Sequence, residues 1–229
     1  VAFSSAPDAG LTPDKDLFFD EYPGFISDSY SVITGRGCPN ACSYCHNSSL
    51  KNKMAEIGAS GPRFRRRNPA SVLQELKLAK TRYRPRRISF CDDLFISDGA
   101  WLKTFLEGYR AQIALPFFCN IHPSFVTDET ARLLETSGCG AVNIGVQTAS
   151  ETIRKNGLGR RESNEDVKRA LKLLAGRRFF VYANYIFGLP LQDVREIQDT
   201  IRFAAENPAD FNDVNWLRFY PRSDILKAA

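Results

Sequence analysis

The sequence predicts an α/β fold, an incomplete (β/α)6 TIM-like barrel with parallel strands, and three observations carry that expectation. Short β-rich runs and amphipathic helical runs alternate six times from about residue 28 onward. The helical runs are long enough to cross from one parallel strand to the next. Polar and ligand-type residues recur just after the strand runs, where parallel α/β proteins place their chemistry. An open doubly wound sheet is the other arrangement these elements allow.

Each element has its own signal. Residues 1–27, rich in Pro, Gly, Asp and Ser, read as an extended lead-in, and 28–229 as one core domain. Ser31–Thr34 is a short strand running into Gly35-Arg36-Gly37 and three crowded cysteines. Pro69–Tyr83 places Val72, Leu73, Leu76 and Ala79 on one helical stripe, with Asn68 as its N-cap. Arg87–Cys91 is a strand, and Gly99–Ile113 carries Leu102, Phe105, Leu106 and Tyr109 on one helical face. Leu115–Ile121 and Ala141–Gln147 are strands flanking the helix Asp128–Ser137, which Gly138 stops. Asn164–Ala175 is a helix ending at Gly176, Arg178–Phe187 a strand, Asp193–Glu206 a helix and Val214–Tyr220 the sixth strand.

Composition narrows the class. The 229 residues are 43% hydrophobic and 25% charged, which fits a globular chain with a real core and excludes collagen-like and low-complexity classes. The longest mainly apolar stretch, Phe179 to Leu191, is too short to span a bilayer as a helix and contains Asn184 and Gly188. The net charge of +5 permits anionic partners without demanding nucleic acid, which is not an expected partner. The chain begins at Val1 with no basic-plus-apolar leader in its first residues, and reads as a piece of a longer cytoplasmic protein. Of six cysteines, Cys38, Cys42 and Cys45 fall within eight residues, whereas Cys91, Cys119 and Cys139 stand alone in apolar runs and read as small buried side chains. Crowding of that kind favours metal or cluster ligation over a disulfide framework.

The loop reads Gly35-Arg36-Gly37-Cys38-Pro39-Asn40-Ala41-Cys42-Ser43-Tyr44-Cys45-His46-Asn47. Cys-x-x-x-Cys-x-x-Cys lets one loop wrap a compact centre. Three thiolates on a four-iron cluster leave one iron open for chemistry, while structural zinc asks for four ligands and His46 is an awkward fourth beside Cys45.

This loop resembles that of the radical S-adenosylmethionine (radical SAM) superfamily, with Tyr44 as the aromatic residue before the last cysteine. With its flanking text it is most similar to the cobalamin-dependent class, and the resemblance covers about residues 28–225. It implies a 4Fe-4S cluster on Cys38, Cys42 and Cys45, with SAM chelating the open iron and cleaved reductively to a 5′-deoxyadenosyl radical. The outcome would be cobalamin-dependent methylation or ring formation on an unactivated carbon. It also implies a small-molecule or peptide substrate, an electron donor such as flavodoxin or ferredoxin, and a cobalamin held outside this chain, since no Asp-x-His-x-x-Gly motif is present. A radical SAM methylthiotransferase of tRNA or protein is the enzymatic alternative. A non-catalytic iron–sulfur or zinc-binding module is the other.

The same resemblance assigns SAM contacts strand by strand. Asp92 and Asp93 stand where most of the superfamily has Gly-Gly-Glu facing the SAM amino group, though either could merely cap the next helix. Asn120 and His122 alternate onto one face at the third strand's exit, His122 being as readable as a structural histidine. Gln147 departs from a common Glu but keeps hydrogen-bonding capacity. Arg160, preferred over Arg154, aligns with an arginine that clamps the SAM carboxylate, although a solvated basic loop would read the same. Gly188, Leu189 and Pro190 match a turn that lies against adenine. Arg222 stands where relatives read Pro-Gly-Thr, which puts that turn's geometry in question. The run Arg63-Phe64-Arg65-Arg66-Arg67 reads as a solvated face or a grip on an acidic group.

Overall fold

A computed structural model describes residues 14–16, 21–22 and 28–227. The lead-in expected over 1–27 therefore lies mostly outside the described residues. Six strands form one all-parallel sheet: β1 (Ser29–Val32), β4 (Arg87–Phe90), β5 (Phe117–Ile121), β6 (Cys139–Gln147), β7 (Phe180–Phe187) and β8 (Phe211–Trp216). They are ordered as they occur in the chain, β1-β4-β5-β6-β7-β8. A doubly wound sheet reverses its order at a switch point. This sheet does not, so the partial-barrel expectation holds and β1 and β8 are its two edges.

The helices are fixed by short-range chemistry at their starts. Pro69 opens α2 (Pro69–Arg82) while Asn68 accepts the Ala70 amide, as expected; α1 is introduced below. Asp98 caps α3 (Gly99–Gln112) by accepting the Trp101 amide, so neither Asp92 nor Asp93 has that task. Thr127 with Thr130 and Ser163 with Asp166 make reciprocal capping boxes on α4 (Asp128–Thr136) and α5 (Asn164–Leu174). Asp193 caps α6 (Val194–Glu206) through the Glu196 amide.

The helices bury one face of the sheet. Val32, Ile88, Phe90, Phe117, Cys119, Val142, Ile144, Val181 and Ala183 point into that core. Trp101, Phe105 and Tyr109 of α3 pack on it, Phe105 meeting Phe90 edge-on at 5.6 Å and stacking on Trp101 at 4.8 Å. Alternate strand residues face the other way onto a concave, polar surface. There Asn143 donates to Asn120 at 3.2 Å, Asn120 to the Asp92 carbonyl at 3.1 Å, and Asn184 to Asp213 at 3.0 Å. A period of two with one dry and one polar face is what a barrel wall requires.

Three features depart from the sequence expectation. An eleven-residue helix, α1 (His46–Glu56), follows the cysteine loop directly; its run His-Asn-Ser-Ser-Leu-Lys-Asn-Lys carries no apolar stripe to announce it. A two-stranded antiparallel ribbon joins β2 (Gly35–Arg36) to β3 (Arg65–Arg66), too short to register as periodicity. The sixth sheet strand runs Phe211–Trp216 rather than Val214–Tyr220, in register with Tyr182 to Phe187 of β7. Its Asn and Asp residues hid it, because an edge strand with both faces largely exposed needs no apolar run.

Candidate functional site

Parallel strands bring their C-terminal ends to one rim, and the cysteine loop is anchored there from three sides. Ser43 donates its amide to the Leu158 carbonyl at 2.9 Å and its hydroxyl to the Gly157 carbonyl at 2.6 Å. The Ile225 amide donates to the Ser43 carbonyl at 3.0 Å, tying in the C-terminal turn Asp224–Lys227. The Cys45 amide closes a turn onto the Cys42 carbonyl at 3.2 Å, and Cys45 is the N-cap of α1. Gly37 enters the loop at φ +82°, and a Cβ there would lie 1.9 Å from the Arg63 carbonyl oxygen, so only glycine fits.

All three loop thiols are free and partly exposed. Burial pushes the Cys38 thiol up to about 11, with Cys42, Asp93 and Cys45 nearby adding to it. Burial also raises Cys42, against the pull of Arg160. Among the described residues, no three Cys, His, Asp or Glu side chains are gathered closely enough to hold a single metal ion.

Tyr44 and Arg160 form the loop's brace. Arg160 is 5% exposed and commits three of its five N–H donors: to Glu162 at 2.5 Å, the Tyr44 hydroxyl at 3.3 Å and the Gly145 carbonyl at 2.7 Å. Burial works against its charge, but Tyr44, Glu162 and Cys42 outweigh it and hold the guanidinium protonated. Tyr44 also packs against the small apolar cluster of Ile153, Leu158, Ile186, Leu189 and Ile225. Arg154, fully buried, is a separate internal tie to the Glu162 carbonyl, Thr148 and Asn164.

The two acids after β4 point to different places. The Asp92 carboxylate is buried, accepting from the Thr34 amide at 3.0 Å, the Thr34 hydroxyl at 2.8 Å and Arg66 at 3.2 Å. Burial nonetheless raises its pKa. Asp93 instead lines the cavity beside Cys38 and lies 3.4 Å from His46.

Gln147 ends β6 at φ +71°, a conformation rare outside glycine, and its buried Oε1 has no hydrogen-bond partner. Asn143, on the concave face, has an equally unpartnered Oδ1. His122 lies in the pocket behind Cys42, 3.6 Å from Glu162, and burial with Arg160 and Arg154 pushes its pKa down to about 3. Its Nδ1 accepts the Ser124 amide, a structural task.

Gly188, Leu189 and Pro190 form a turn that Gln192 holds by accepting the Gly188 and Leu189 amides. Leu189 is buried in the small apolar cluster, while Gly188 stays exposed under the Trp216 ring, whose Cε3 would lie 3.1 Å from a Cβ there. Trp216 is 73% exposed at this rim. The sequence drew no attention to it, because its place depends on the β7–β8 register. Arg222 keeps its turn by adopting φ +65° itself and pairs with Glu56 at 3.0 Å. Cys119 and Cys139 are buried as expected, but Cys91 is exposed, because it follows the last residue of β4 on the concave side.

A cysteine loop pinned over the C-terminal rim of a six-stranded partial barrel, facing a polar concave wall, defines a class of protein that builds a cofactor centre at a barrel mouth. The Radical SAM superfamily profile matches residues 32–204, and the chain belongs to that superfamily of enzymes. An uncharacterized methyltransferase of Pyrococcus horikoshii is 26% identical over 224 residues, 95% of this chain and 46% of that protein. The chain thus spans about half the length of its curated relative. Among solved structures, the radical SAM methyltransferase TsrM of Kitasatospora setae, with tryptophan substrate and a SAM analogue bound, superposes with a TM-score of 0.74 at 22% identity, over 90% of this chain and 39% of that one. The cobalamin-dependent radical SAM enzyme OxsB superposes at 0.68 and 16% identity, over 89% and 30%. These two likenesses establish the fold. No helix among the described residues is long and apolar enough to cross a membrane.

Proposed function

We propose that this chain is the SAM-cleaving core of a cobalamin-dependent radical SAM methyltransferase, with a 4Fe-4S cluster on Cys38, Cys42 and Cys45. The observation that carries the reading is the anchoring of these three free thiols at the barrel rim by Ser43, Tyr44 and Arg160. The donor set fits a cluster: three free thiols on one eight-residue loop, and, among the described residues, no grouping of three Cys, His, Asp or Glu that would hold a single ion. When reduced and bound, the cluster supplies the electron that breaks a carbon–sulfur bond of SAM.

The chain's own residues would position the reactants. Tyr44, braced by Arg160, holds the loop's depth over the concave wall. Asp93, the acid that remains at the cavity, is the partner for the SAM ammonium, whereas Asp92 is an internal strut for Thr34 and Arg66. The orphaned Oε1 of Gln147 and Oδ1 of Asn143 are acceptors awaiting a donor, and a SAM ribose or amine supplies one. Asn120 is held by Asp92 and Asn143 and completes that polar wall. Arg160 has two N–H donors left for the SAM carboxylate. Gly188 with Trp216 offers the flat apolar face an adenine needs, Leu189 and Pro190 fixing the turn.

Methylation of an unactivated carbon of a small molecule or peptide is the reaction this assigns, with the electron from a flavodoxin or ferredoxin in the cytoplasm. The two histidines, His46 beside Asp93 and His122 on the Ser124 amide, offer no cobalt-binding motif. The cobalamin would then be held by groups other than these two histidines. The test is anaerobic reconstitution with iron and sulfide, then reduction with SAM and an assay for 5′-deoxyadenosine and for a methylated product when cobalamin is added. Cys42→Ala is expected to abolish the four-iron absorbance and SAM cleavage together. Cleavage at the unsubstituted rate would sink the cluster assignment.

A further inference from the structure

Of the arginine run at residues 63–67, the site above uses only Arg66, and the ribbon divides the run. Arg66 turns inward to Thr34, Asp92 and the Leu94 carbonyl. Arg67 pairs with Glu75 at 2.6 Å. Arg63 and Arg65 line instead a cavity of about 530 Å³ that runs alongside Cys38. Arg36, directly opposite Arg65 in the β2–β3 pairing, lines it too.

Among the described residues the one acid lining the cavity is Asp93, which faces His46, and its lysine, Lys51, is committed to Asp224 at 3.1 Å. Among the described residues, Arg36 and Arg63 have no carboxylate partner. The backbone beneath these arginines is fixed, because Gly37 is packed directly on the Arg63 carbonyl. The same cavity is also lined by Ile33, Leu50 and Met54. A volume of this size suits an organic ligand rather than a bare ion.

We propose that this cavity binds an organic anion, a phosphate or carboxylate carried on an apolar body, with Arg36 and Arg63 gripping the charge and Ile33, Leu50 and Met54 the body. Guanidinium forks match either oxyanion in pairs. The cavity shares Cys38 and Asp93 with the proposed SAM site, but the arginine grip rests on the ribbon's geometry, so it is judged by anion binding and not by SAM cleavage.

The test is calorimetric titration at low ionic strength with phenyl phosphate, benzoate and inorganic phosphate, on the protein with and without reconstituted iron and sulfide. The expected result is one saturable site that prefers an aryl-bearing anion to inorganic phosphate; the stronger of phenyl phosphate and benzoate tells which oxyanion it takes. Arg36→Gln with Arg63→Gln should weaken binding at least about tenfold. Arg63→Lys should retain most of the affinity, and exposed Arg195→Gln all of it, each with an unfolding midpoint equal to the parent's. Absence of a saturable site, or unchanged affinity in the folded double variant, would overturn the proposal. So would binding that disappears on cluster loading, since the arginines would then serve the cluster's own charge.

Discussion

Arg160 shows how one side chain can organise this site. Its guanidinium joins the cysteine loop at Tyr44, 116 residues away, to β6 at Gly145 and to the buried acid Glu162 beside it in the chain. Removing it strands a buried carboxylate, so Arg160→Gln is expected to cost about 3–5 kcal/mol in urea unfolding. His122 gives a pH signature of its own. Its folded pKa of about 3 lies below the ordinary value of 6.5, so below pH 6.5 the unfolded chain takes up a proton that the folded one refuses. Its contribution to stability is therefore complete above pH 6.5 and declines as pH falls toward 3. Comparing unfolding midpoints at pH 7 and pH 5.5 should show a smaller drop for His122→Asn than for the parent; Asn can still accept the Ser124 amide. Equal drops would mean that His122 is not held neutral. The three crowded cysteines were legible in the sequence because a spacing of three and two residues is local. Asp92 and Asp93 were not separable, because their side chains part only when Thr34 and Arg66 claim one of them.

Elements were legible where they carry their own start signal. Asn68-Pro69, Thr127-Asp128 and Ser163-Asn164 all open helices at or next to the expected residues, since caps depend on three or four neighbours. Asp98→Ala should lower stability by about 1 kcal/mol through the lost Trp101 amide bond, read from thermal or urea unfolding. Helix α1 escaped notice for the opposite reason. It is stabilised by long-range contacts at its middle and its C-terminal end: Asn52 and Lys51 on Asp224, and Arg222 on Glu56. Strand β8 likewise takes its bounds from pairing with β7 rather than from its own composition.

At the scale of the whole molecule, one dry layer between sheet and helices holds the polar wall in place. Phe105 is fully buried against Phe90, Phe95, Trp101 and Tyr109. Phe105→Ala is expected to cost about 3–5 kcal/mol, measured by denaturant unfolding, with a cavity that aromatic neighbours cannot fill. A cost below about 1 kcal/mol would mean that this layer relaxes more than a close-packed core should. The sequence by itself determined the class of fold, the strand–helix alternation, the buried stripes and the three clustered thiols, because each follows from contacts within a few residues or from a period of two or 3.6. The tertiary structure alone decided which of two adjacent acids stays at the cavity, how Arg160 ties the cysteine loop to β6, where Trp216 meets Gly188, and that an arginine run splits into struts and a basic wall. Those outcomes depend on strand register and on competition for partners more than a hundred residues apart in the extreme cases, and no local pattern encodes them.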